Sequence, residues 1–201
     1  MGLFVCLLGF LPVPRIQITV QSRVFCRRKN RIRLMNIGKL IKNKIDEKDG
    51  KQVCLANKMS CDKSKISRIC SRPSIKTEDL IPICIHLEYN FFSDYAAYVE
   101  KQILKENRLD FSHVYKFITG EEMHIGTLIR KIKKERKITA EELEKNIGCC
   151  EKNIYRVYGY KHIDTSRLVL VSIQLNFNFF DIYAEYVDEQ IQKKKDAFFV
   201  I

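Results

Sequence analysis

The sequence predicts an all-α protein made of two tandem copies of one small bundle, four to five helices each. Three observations carry this. Residues 37–103 align without a gap against residues 125–191 at a constant offset of 88, with about a third of positions identical. Both copies open on Ile-Gly-x-Leu-Ile (Ile37, Ile125) and close on Asn-Phe-Phe-x-x-Tyr-Ala-x-Tyr-Val (Asn90, Asn178). Between these marks the apolar residues recur three and four apart, the spacing of one helix face. The unit is too long for a solenoid repeat, so the chain reads as one duplicated domain. The expected divisions are an extension at 1–35, a first domain at 36–103, a linker at 104–123, a second domain at 124–191 and a frayed tail at 192–201.

The first 13 residues are apolar, but too few to span a bilayer, which takes about 18. They lack the basic start and small-residue cleavage site of a signal peptide. Seven basic residues and no acid follow by position 35. Met35 stands directly before the first copy, so it is expected to be the biological start, with 1–34 an unstructured or non-native upstream extension. The rival readings are a weak membrane anchor and a basic DNA-binding arm. Mass spectrometry of the native N-terminus separates them.

In the first copy, Ile37, Leu40, Ile41 and Ile45 predict a helix over 36–48 capped by Asn36. Asp49 and Gly50 end it. Leu55 and Met59 share a face of a second helix, 51–58, where Ala56 is small enough for a close crossing. Ser60 and Cys61 sit where the chain must bend, and Ile66 and Ile69 mark a third helix begun by Cys61 or Asp62. After Arg72-Pro73-Ser74, Thr77 is expected to cap a fourth helix, 78–87, with Glu78 and Asp79 at its positive end and a kink at Pro82. Phe91, Phe92, Tyr95, Val99 and Ile103 form the stripe of a fifth helix, expected to anchor on its own bundle and not to form a dimer seam. The linker's apolar residues are expected to pack and bring the two domains into touch. In the second copy the expected helices are 125–136, one capped by a Thr139/Glu142 capping box, 151–158, 168–175 capped by Thr165, and one led by Asn178. Gly148 supplies the turn between the second and third of these.

The formal charge is +12, but little of it lies in the repeats. The first has 12 basic and 9 acidic residues, the second 11 and 10, so placement matters more than total. Eight cysteines include no C-x-x-C pair, and the four histidines lack ligand spacing. Structural thiols, no metal and no cofactor, and a reducing cytoplasmic location are the expectation. No Gly-rich phosphate loop or nucleophile–base set appears, so the chain is read as not an enzyme.

The second and third helices of each copy, 52–69 and 140–157, carry a resemblance. Their apolar positions, with the flanking helices, look like the phage-repressor-like (Xre-type) helix-turn-helix domain of transcription regulators. The resemblance covers both repeats and implies two tandem lambda-repressor-like bundles. It also implies that helix three enters the major groove of double-stranded DNA while helix two crosses the backbone. By match, Lys63, Ser64, Lys65, Ser67 and Arg68 would read DNA in the first copy, and Lys152, Asn153, Tyr155 and Arg156 in the second. The chain departs from the family pattern at Ser60, where glycine is usual, and at Glu144, where a small residue is usual. Glu144 is expected to sit at an edge or to splay the helices. Glu141, Glu142 and Glu151 face the expected phosphate region, which makes the second copy the poorer DNA binder. Tyr155, Tyr158, Tyr160 and His162 would then serve a protein contact or pack locally. Lys131, Lys133 and Lys134 are read as a solvated helix face.

The first functional expectation is a sequence-specific DNA-binding regulator with two reading units on one chain. The alternative is a protein-interaction module, with a homodimer or a protein partner held through the second repeat. The mixed case puts only the first repeat on DNA. No membrane partner is expected.

Overall fold

The computed structural model describes residues 35–48, 50–103, 124–147 and 151–199, which fall in one unit, Arg33–Ile201. The expectations for residues 1–34, for the linker 104–123, and for Gly148 and Cys149 lie outside the described residues. The described chain is all-α. In the first copy α1 is Ile37–Glu47, α2 Gln52–Lys58, α3 Lys63–Ser71, α4 Thr77–Leu87 and α5 Phe91–Glu100. In the second, α6 is Ile125–Glu135, α7 Ala140–Ile147, α8 Glu151–Tyr158, α9 Thr165–Gln174 and α10 Phe179–Phe199.

Each copy is held from within by the same packing. Helices α1 and α2 both pack on α3, and α2 also packs on α4. In the second copy α6 and α7 pack on α8, and α7 on α9. Asn36 caps α1, accepting from the Lys39 N–H at 3.1 Å. His124, at the matching place, caps α6 through Nδ1 and the Thr127 N–H at 3.2 Å. The capping box forms as the spacing predicts. Thr139 Oγ1 accepts from the Glu142 N–H at 3.1 Å, and Glu142 accepts from the Thr139 N–H at 2.9 Å.

The opening Ile-Gly has a steric reason. The N–H of Gly38 donates to the Arg72 carbonyl at 3.1 Å, and that of Gly126 to the Tyr160 carbonyl at 3.0 Å. The start of the first helix is thereby tied to the chain leaving the third. A Cβ on Gly38 would collide with the carbonyls of Arg72, Cys70 and Ile69, the last at 2.7 Å. One on Gly126 would collide with the carbonyls of Val157 and Tyr158. Ser60 occupies the turn between α2 and α3 with φ +49°. This is the left-handed conformation in which glycine escapes the Cβ penalty.

The two copies meet across a pseudo-two-fold seam, where the following contacts come in pairs related by the 88-residue offset. The Thr77 N–H donates to the Ile163 carbonyl and the Thr165 N–H to the Ile75 carbonyl, both at 2.9 Å. Thr77 Oγ1 accepts from the Ile163 N–H at 3.2 Å and from the Tyr183 hydroxyl at 3.4 Å. Thr165 Oγ1 accepts from the Ile75 N–H at 3.4 Å and from the Tyr95 hydroxyl at 3.2 Å. Asn90 Nδ2 donates to the Ala184 carbonyl at 2.8 Å, and Asn178 Nδ2 to the Ala96 carbonyl at 3.1 Å. Phe92 stacks on Tyr183 with ring centres 4.9 Å apart, and Tyr95 on Phe180 at 4.8 Å. These four rings are at most 1% exposed. Each contributes about 1.5–3 kcal/mol by leaving water, and stacking adds to that. The buried side chains of both copies form one apolar core.

Three expectations are corrected here. The Phe-Phe-Tyr stripe is buried as predicted, but its Phe92 and Tyr95 rings stack on the sister copy, so it forms a seam between copies and does not serve its own bundle alone. Thr77 and Thr165 are not caps. Lys76 and Asp164 hold the cap positions, and Asp164 supplies the side-chain bond in α9 by accepting from the Ser166 N–H. The threonine hydroxyls are used by the sister copy instead. The tail does not fray after Ile191, because α10 runs on to Phe199. Lys194 fixes it to the first copy, donating to the Ile85 carbonyl at 3.2 Å and lying 3.6 Å from the Glu88 carboxylate.

Among the described residues, no helix is long and apolar enough to cross a membrane. Burial pushes the Cys84 thiol up to about 12 and raises that of Cys70, which makes both inert as nucleophiles.

Candidate nucleic-acid interface

Helix α3 has two sides because its sequence has two. Ile66 and Ile69 are fully buried against α1 and α2, and Cys70 nearly so. Lys63, Ser64, Lys65, Ser67 and Arg68 are all exposed. The structure therefore brings all five first-copy candidates onto the open side of one helix. Asp62 is the N-cap residue of α3, though its side chain makes no capping bond.

The five are not equivalent. Lys65 is tied to Asp79 on α4, Nζ to Oδ1 3.1 Å, and this exposed pair adds little stability. Arg68 lies back along its own helix, its Nε donating to the Ser64 carbonyl at 3.3 Å. One N–H is used in this way, which leaves the flat end of the guanidinium for a fork onto carboxylate, phosphate or guanine. Lys63, Ser64 and Ser67 add short donors along the same face.

In the second copy Tyr155 and Arg156 are exposed on α8, Tyr155 at 57%. The side chains of Lys152 and Asn153 lie outside the described residues. Arg156 matches Arg68 by register. Around it the surface differs. Glu141 and Glu142 are exposed at the start of α7. Glu144 is half-buried, so it sits at the edge of the helix crossing where its counterpart Ala56 is 1% exposed. Tyr158 packs edge-on against Tyr155, ring centres 6.0 Å apart. Tyr160 is exposed and His162 half-buried.

The seam bears on this surface. Because the two copies share their internal packing and meet across a pseudo-two-fold, the same operation relates α3 to α8. The apolar spacing marks the exposed side of α3, but not this relation between the copies. The signal was present in Thr77/Thr165, Tyr95/Tyr183 and Asn90/Asn178, polar residues identical in the two copies.

No family model matches the chain, and no curated protein or solved structure matches it.

Proposed function

We propose that this chain is a sequence-specific regulator that binds double-stranded DNA. On this reading it carries two phage-repressor-like helix-turn-helix units, α2–α3 and α7–α8. Helix α3 lies in the major groove, α2 crosses the backbone, and α8 holds the matching place on the adjacent half-site. Its natural setting is the cytoplasm, and its chemistry is binding without catalysis. The observation that carries the reading is the open polar face from Lys63 to Arg68 on a helix whose other side is fully buried. The pseudo-two-fold seam adds to it. A repressor dimer presents two reading helices related by a two-fold axis, and here one chain supplies both. The half-sites would lie about 34–36 Å apart, one turn of the duplex.

A second reading is favoured by the differences between copies. Glu141, Glu142 and the half-buried Glu144 weaken phosphate attraction on the second copy. In this mixed case α3 chooses the site, and the second copy holds another ligand or a protein partner. A pure protein-interaction module is the remaining alternative.

Arg68→Ala is the direct test. Removing a base-reading arginine costs about 1–3 kcal/mol of specific binding, measured as duplex affinity at fixed salt. Specific binding that is unchanged in Arg68→Ala contradicts the reading role of α3. Duplex binding also weakens steeply with salt as counterions leave the phosphates, whereas a protein interface responds weakly.

A further inference from the structure

The second copy carries a surface whose residues the first copy does not repeat. Between α6 and α8 lies an open hollow of about 630 Å³ lined by Arg130, Lys133, Lys134, Lys137, Ile138, Tyr155 and Tyr158. Four of the seven are cations and two are tyrosines. Subtracting 88 gives the first-copy residues at these places, namely Lys42, Ile45, Asp46, Asp49, Gly50, Ser67 and Cys70. Four cations become one cation and two acids, and both rings are lost. Copies that keep a third of their residues differ at all seven of these positions.

The charge is unbalanced within the hollow. Among the described residues, no carboxylate forms an ion pair with Arg130, Lys133, Lys134 or Lys137. Like charges gathered on one wall repel unless an anion joins them. The last turn of α6, with Lys133 and Lys134, and the left-handed Lys137 (φ 55°) two residues past its end put three of them on this wall. The carbonyl end of α6 favours cations there, but that end carries only about half a charge. The tyrosines supply the other half of a recognition surface. Tyr155 offers a ring more than half exposed, set edge-on to Tyr158. The Lys133 ammonium lies 5.8 Å from the Tyr158 ring centre. The Tyr158 hydroxyl is shielded from water and has no hydrogen-bond partner. An exposed ring beside unpaired cations suits a ligand with a flat face and a phosphate. The volume suits a small molecule, since such sites span about 300–1,000 Å³.

We propose that this hollow binds a phosphate-bearing nucleotide, with its base stacked on Tyr155 and its phosphates against Arg130, Lys133, Lys134 and Lys137. The nucleotide is either a free effector or one unit of a single strand. The site does not depend on DNA reading by α3.

The test uses the full chain and a fluorescent nucleoside diphosphate followed by anisotropy, with inorganic pyrophosphate and a short single-stranded oligonucleotide as competitors. Wild type binds the nucleotide at least tenfold more tightly than pyrophosphate. Tyr155→Ser, which installs the first-copy residue, loses that tenfold preference and leaves pyrophosphate affinity unchanged. Lys134→Asp weakens both ligands tenfold or more. Arg68→Ala changes neither, so failure of the α3 reading and failure of this site are told apart. Competition by the oligonucleotide well below the concentration at which free nucleotide competes assigns the site to a strand, and the reverse order assigns it to a free effector. Tyr155, Lys134 and Arg68 are exposed, and circular dichroism checks that each variant is folded. No nucleotide binding, equal affinity for pyrophosphate and nucleotide, or an unchanged preference in Tyr155→Ser overturns the proposal.

Discussion

Replacing Thr165 by valine removes one oxygen and keeps the side-chain shape. That oxygen accepts from the Ile75 N–H at 3.4 Å and from the Tyr95 hydroxyl at 3.2 Å, and both donors belong to the other copy. Thr165 is fully buried and Tyr95 is 1% exposed, so water does not replace the lost acceptor. A buried donor left without a partner costs about 1–3 kcal/mol. With two such donors, both in rather long bonds, the expected loss is roughly 2–4 kcal/mol. That is a large part of the 5–15 kcal/mol or so that holds a typical domain. Urea denaturation followed by circular dichroism measures the loss. The more telling readout is the Cys84 thiol, which sits in the first copy and is fully buried. If the two copies share one core, the second-copy substitution exposes Cys84 to a thiol reagent with the same drop in free energy. A change under about 0.5 kcal/mol, within the range of ordinary surface substitutions, would refute the account of the seam. So would two separate transitions with Cys84 still protected.

Gly38→Ala is expected to destabilise the chain by about 1–3 kcal/mol or more, the usual cost of overpacking, because the added methyl meets backbone carbonyls that cannot swing away; thermal melting checks this. Alkaline pH should open the seam. Burial raises Tyr95 and Tyr183 from 10 to about 12. A group whose folded pKa is raised gives stability that is fully present below its unfolded value and lost as pH rises through the folded one. Stability should therefore fall between pH 10 and about 12, with tyrosinate absorbance and unfolding rising together. Tyr95→Phe should blunt that slope.

Much of the fold was legible because local rules and tertiary packing agree. The Ile37–Ile41–Ile45 face, the Asn36 cap and the Thr139/Glu142 box need only neighbours in sequence, and each stands where the spacing predicts. The misses involve partners far along the chain. Periodicity says that Phe92 and Tyr95 are buried, but not which copy buries them. Thr77 and Thr165 have the chemistry of caps and stand at helix starts, so propensity alone misassigns them by one residue. Their hydroxyls go to the sister copy, and α9 starts three residues earlier than the apolar pattern predicts, with Asp164 as its cap. The extension of α10 past Ile191 depends on Lys194 meeting Ile85 and Glu88, over a hundred residues away in sequence. For the candidate interface, the open face of α3 was legible from the alternation of Ile66 and Ile69 with polar residues. The basic hollow of the second copy was not, because Lys133 and Lys134 alone read as a solvated face and only the fold sets Tyr155 and Tyr158 beside them.

The measurement that bears most directly on the central claim is a selection of bound sequences from a random duplex pool, using the full chain. If α3 and α8 both read DNA, the pseudo-two-fold that relates them calls for two short half-sites in inverted orientation, about one helical turn apart, and unlike in sequence because α3 and α8 differ. The account predicts enrichment of that two-part motif, with the half-site read by α3 lost in Arg68→Ala. A pool that emerges with no enriched sequence would contradict it.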